Sequence, residues 1–99
     1  MAATKKKATL IPGTDWQIGK MYFIRTVTLY YVGRLIAIDA QDFTLDQCAW
    51  VADTGRFSEA MKTGKLSEVE PYPDVPVKVS RGGYIDACIW TGEAQRIVL

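Results

Sequence analysis

Phe43-Thr44-Leu45-Asp46-Gln47-Cys48-Ala49-Trp50-Val51 reads as a strand whose alternation breaks in the middle. Phe43 and Leu45 point to one face, and Cys48 and Trp50 resume the pattern with opposite parity. Side chains of a pleated strand alternate with a period of two. A change of phase at Asp46-Gln47 therefore predicts a β-bulge, or the end of one short strand. Upstream, Met21 to Tyr31 also alternates in strand fashion. Phe23, Val27, Leu29 and Tyr31 lie on one face, and Tyr22, Ile24, Thr26, Thr28 and Tyr30 on the other, both rich in the β-branched and aromatic residues a pleated surface prefers. Gly33 permits a bend or bulge before the next strand, Arg34 to Ile38, and the polar Asp39-Ala40-Gln41-Asp42 has hairpin length. The first half of the chain thus predicts a strongly bent, three-stranded antiparallel meander.

Downstream, Asp53-Thr54-Gly55 is a cap and turn before Arg56 to Thr63, the one helical segment, with Phe57, Ala60 and Met61 as its apolar stripe. Gly64 is placed to end it in the left-handed conformation. So short a helix needs a sheet or barrel end to pack against. Leu66 to Val69 predicts a short strand, and Pro71, Pro73 and Pro76 an irregular connector. Val77 to Ser80, Arg81-Gly82-Gly83 and Tyr84 to Trp90 read as a hairpin, and Arg96 to Leu99 as a closing strand or apolar tail. The expected fold is mainly β with one short helix: a small, strongly bent antiparallel sheet or a Src-homology-3-like or Sm-like barrel. Residues 16–99 form this single domain, and residues 1–15 a basic arm and loop.

Composition restricts function. The 99 residues include no histidine, which removes the commonest general base and metal ligand. Cys48 and Cys88 have no companions for a zinc site and read as reduced, partly buried strand thiols, a disulfide being the alternative. Asp39 with Asp42, and Glu68 with Glu70, read as solvated surface rather than paired catalytic acids. The expectation is a non-enzyme without cofactor or metal. No apolar run is long enough for a secretory signal or a membrane span, so no membrane partner is expected. Of the 12 basic residues, Lys5, Lys6 and Lys7 stand together in the leader; without them, 9 basic residues face 11 acidic ones, a net of −2. A slightly acidic body argues against nucleic acid as a partner.

A few positions stand out against this background. Arg25 occupies an otherwise apolar strand face, so it is at a barrel mouth, paired with a carboxylate, or presented to a ligand. Thr26, Thr28 and Tyr30 form a hydroxyl row opposite it, either the solvent side of a strand or part of a nucleotide-like site. Arg34 follows in the next strand. Asp53, Thr54 and Arg56 at the helix start suit either capping or an anion. Gly82-Gly83 after Arg81 is better explained by a turn than by phosphate binding. Trp16, Trp50 and Trp90 read as core or interface anchors.

At Tyr30-Tyr31-Val32-Gly33-Arg34-Leu35 and Ala49-Trp50-Val51-Ala52-Asp53-Thr54-Gly55-Arg56-Phe57 the chain resembles small uncharacterised proteins encoded by tailed bacteriophages. The likeness covers roughly Met21 to Tyr72 and contains no catalytic motif. It implies a phage or prophage origin, and two roles fit. One is a homo-oligomeric barrel in the cytoplasm of the infected bacterium that sequesters an anionic, nucleotide-like immune signal through Arg25, Thr26, Thr28, Tyr30, Arg34, Asp53, Thr54 and Arg56. The other is a structural virion component, a capsid-decorating or tail-connector protein whose lysine arm and Ile97-Val98-Leu99 dock on other virion proteins.

Overall fold

In a computed structural model, which describes Thr9–Leu10 and residues 15–99, the chain forms eight strands and one helix. These are β1 (Thr9–Leu10), β2 (Gln17–Ile18), β3 (Met21–Thr26), β4 (Tyr30–Ile38), β5 (Asp42–Asp53), α1 (Phe57–Thr63), β6 (Glu68–Pro71), β7 (Val77–Ser80) and β8 (Tyr84–Ile89). The first two pair with each other. The other six make one bent antiparallel sheet in the order β6-β5-β4-β3-β8, with β7 also on β5. Lys5 to Lys7, and with them most of the expected arm, lie outside the described residues.

β5 organises this sheet. One of its edges pairs with β4 throughout; the other pairs with β7 over Asp42 to Leu45 and with β6 over Ala49 to Asp53. The bend between these halves is the expected bulge. Val32 faces Ala49 while Arg34 faces Asp46, so the register slips opposite Gly33, and Gln47 takes a left-handed φ of 47°. Gly33 lets the two strands approach closely there. A Cβ on it would stand 3.0 Å from Leu45 Cβ and 3.3 Å from both Asp46 O and Cys48 Cα.

The bend gives the sheet two buried faces. Tyr22, Ile24, Leu35, Phe43, Leu45, Cys48 and Val79 fill the concave interior, flanked by Trp16, Tyr31, Tyr72 and Tyr84. Phe23, Val32, Ala49 and Val51 face the other way, under Ala60 of α1, Leu66, Val69 and Trp90. Burial of each large apolar side chain contributes about 1.5–3 kcal/mol, so the helix and the segment after β8 are held by this second cluster. Gly64, at φ 77°, closes α1 by donating to the Ala60 carbonyl at 2.8 Å. It also meets Gly92 so closely that a Cβ on it would lie 3.0 Å from Gly92 Cα.

Two segments differ from the sequence reading. Met21 to Tyr31 is a hairpin rather than one strand. The Thr26 hydroxyl donates to the Leu29 carbonyl at 2.7 Å and accepts from the Leu29 amide, and Thr26 N also donates to that carbonyl, closing a turn around Val27-Thr28. Gly33 consequently lies inside β4 rather than before a new strand. Val77 to Ile89 is not a hairpin: β7 pairs with β5 and β8 with β3, and among the described residues no ladder joins them. Arg81 sets the corner, its amide donating to the Gln41 carbonyl and its guanidinium to the Asp39 carbonyl, each pinning it to the loop that leads into β5.

Candidate functional site

The expected site residues separate into two places. Arg25 faces Tyr30 across the hairpin, and Tyr30 faces Val51, two residues before Asp53. Arg25, Thr26, Thr28 and Tyr30 therefore share one end of the sheet with Asp53, Thr54 and Arg56. Arg34 faces Met21 at the far end of β3, which puts it outside that group.

Both strand arginines are engaged by carboxylates directly opposite them. Arg25 donates through Nε and Nη2 to both Asp86 oxygens at 3.0 and 2.5 Å, and Arg34 does the same to Asp46 at 2.8 and 2.6 Å. Of the three settings expected for Arg25, pairing with a carboxylate is the one realised. The Arg25 hydrogen bonds hold the Asp86 carboxyl below its usual range. An incoming phosphate has to displace a bidentate partner in either case. Thr26 spends its hydroxyl on the turn. Tyr30 packs its ring 5.5 Å from Phe23, and Thr28 is an exposed turn residue.

At the helix start, Arg56 is the N-cap, with no side-chain cap bond. Asp53 does not cap α1; its Oδ1 accepts from the Gly55 amide at 2.8 Å, and the Thr54 hydroxyl donates to the Gly55 carbonyl. A carboxylate thus already occupies the loop where an anion was expected. Among the described residues only Arg56, of the three expected arginines, has a side chain without a hydrogen-bond or ion-pair partner.

The cysteines also divide. Both are free thiols; Cys48 is buried and burial pushes it up to about 12, whereas Cys88 is exposed on β8, its Sγ 3.9 Å from Met61 Sδ. Cys88 is thus more exposed than the partly buried strand thiol expected from its apolar context. Among the described residues no group of three or more His, Cys, Asp or Glu side chains could hold a metal ion, and no helix is long and apolar enough to cross a membrane.

A different surface has the shape of a binding site. Trp50 lies between Tyr31 on β4 and Glu70 on β6 as direct cross-strand neighbours. Two cavities meet at its indole and at Glu70: one of about 320 Å³ is completed by Pro71, Tyr72 and Pro73, the other, of about 350 Å³, by Ala52, Glu68, Val98 and Leu99 among others. Tyr72 stacks on Tyr31 at 6.4 Å, and burial, reinforced by the Tyr31 phenol, pushes its own phenol up to about 12. This wall is therefore neutral and aromatic. The Arg96 guanidinium donates to the carbonyls of Cys48 and Tyr72 at 3.2 and 3.0 Å, and the Leu99 amide and carbonyl bond to Val69. The last residues are thereby fixed along β6, yet Ile97, Val98 and Leu99 remain 73%, 67% and 57% exposed. Glu68 and Glu70 rim the groove, and neither forms an ion pair among the described residues.

The sequence marks Trp50 as an anchor and Ile97-Val98-Leu99 as a docking segment, but not that they adjoin. The signal available was the phase change in β5, which sets the face on which Trp50 lies. No family model matches the chain, and no curated protein or solved structure matches it either.

Proposed function

We propose that the protein is a non-enzymatic assembly protein, a small bent-sheet module that self-associates and docks on neighbours through the Trp50 groove and the adjoining Ile97-Val98-Leu99 stripe. In the setting that the phage resemblance implies, this is the structural role in the particle. One observation carries the reading: three consecutive apolar side chains are held outward by backbone bonds from Leu99 to Val69, beside an open aromatic groove. Exposed apolar side chains gain by being covered, since burial of apolar area contributes about 25 cal/mol per Å². Contiguous exposed apolar surface of this kind is characteristic of interaction sites.

The nucleotide-sequestering reading has less support. Arg25 and Arg34 are held in bidentate pairs, Arg34 lies apart from the rest, and an Asp53 carboxylate sits at the helix start. Quantitative mass spectrometry of purified particles separates the two roles. Stoichiometric copies in particles are expected; absence from particles, combined with a thermal shift on adding cyclic or linear nucleotides, would overturn the assembly role.

A further inference from the structure

We infer that the Trp50 groove receives the Lys5-Lys6-Lys7 arm of a second copy of this chain, with lysine ammonium groups lying over the Trp50 indole between Glu68 and Glu70. This rests on the self-association proposed above and names the segment that mediates it.

The arm and the groove are complementary in charge and shape. Lys5 to Lys7 are the only three consecutive basic residues, and removing them turns the chain from +1 to −2. The groove supplies the complement. Glu68 and Glu70 stand two residues apart on β6, both line the cavity beside Trp50, and neither forms an ion pair among the described residues. The one guanidinium of the last segment, Arg96, is committed to the Cys48 and Tyr72 carbonyls and does not pair with them. An ammonium over an indole is attracted by the ring quadrupole, by about 0.5–1 kcal/mol at exposed sites. A lysine stem additionally covers apolar surface, here Val98 and Pro71, while its head stays at the rim. The arms of two copies exchanged in this way bury the aromatic groove of each subunit and neutralise its rim. Such reciprocal contact is the usual form of a closed dimer.

The test is zero-length carbodiimide cross-linking of the full-length protein, prepared as a mixture of isotopically light and heavy chains. Peptides joining Lys5, Lys6 or Lys7 to Glu68 or Glu70 are expected, with light–heavy pairs among them. Joined peptides of a single isotope only would place the arm in its own groove and overturn the inference. Sedimentation that shows self-association, without any cross-link at Glu68 or Glu70, would overturn the arm contact and leave self-association standing. A strictly monomeric chain would overturn both. A charge exchange provides the second measurement. Glu68→Lys with Glu70→Lys, both exposed and structurally undemanding, should weaken self-association about tenfold. Adding Lys5→Glu, Lys6→Glu and Lys7→Glu should restore it. Failure of that restoration in a folded protein would count against the pairing.

Discussion

Replacing Gly33 with alanine tests the packing that bends the sheet. The added Cβ would stand 3.0 Å from Leu45 Cβ, 3.3 Å from Asp46 O and 3.3 Å from Cys48 Cα. Two of these three are backbone or Cα atoms of β5, and Leu45 and Cys48 are fully buried, so the neighbours cannot simply rotate away. Overpacking of this kind costs about 1–3 kcal/mol. Against it stands the stiffening of the unfolded chain by alanine, worth about 0.4–1 kcal/mol. Gly33 has no left-handed φ, so no backbone strain enters the comparison. The balance is a loss of about 1–2 kcal/mol, or roughly 5–15 °C in Tm for a domain of this size. Thermal and urea unfolding followed by far-ultraviolet circular dichroism measures it, with an unchanged urea slope expected because the folded surface is conserved. Gly82→Ala is the control, since its Cβ meets only Ser80 Oγ at 3.7 Å, and it should be neutral or slightly stabilising. A Gly33→Ala protein within about 2 °C of wild type would refute the tight contact between β4 and β5 at the bulge.

Other outcomes follow from the same geometry. A soluble thiol reagent should modify Cys88 alone in the native protein and Cys48 only after unfolding, and equal rates would contradict the buried interior face. Asp86 is held low by the Arg25 hydrogen bonds, and Asp39 by the amides of Gln41 and Asp42. A carboxyl lowered in the folded state contributes stability that is complete above its unfolded value of about 3.9 and is lost as pH falls through the folded one. The urea midpoint should therefore drop on acidification below about pH 4, and less steeply in Asp86→Asn or Asp39→Asn; identical slopes would refute those bonds. Cyclic and linear nucleotides should produce no thermal shift in wild type. A shift abolished by Arg25→Ala and Arg56→Ala, with the fold intact, would restore the ligand-binding reading.

How far the sequence predicted these features differs from residue to residue. The β5 bulge was readable because period-two alternation records parity, and the change at Asp46-Gln47 is visible without any partner strand. The close of α1 is readable because Gly64 comes one turn after Met61, the last residue of the apolar stripe. The Val27-Thr28 turn was not, since neither residue is a turn former; the Thr26 hydroxyl supplies the closure instead. Arg81-Gly82-Gly83 misled for the opposite reason. Glycines mark a turn, but which strands flank it depends on β5 and β3, which compete for β7 and β8. The ion pairs were out of reach because their partners lie 61 and 12 residues away and meet only through register. The groove is illegible for a similar reason: Trp50, Glu70 and Val98 become neighbours only once β6 lies along β5 and the last residues along β6.

The proposed interface is the Ile97-Val98-Leu99 stripe beside Trp50. Sedimentation velocity over a wide concentration range, comparing wild type with Ile97→Asp/Val98→Asp, tests it most directly. Both substituted side chains are largely exposed, so the variant keeps its fold. The wild-type sedimentation coefficient should rise with concentration, and the folded variant should stay monomeric. Wild type that sediments as a monomer throughout, or a variant that associates as tightly as wild type, would contradict it.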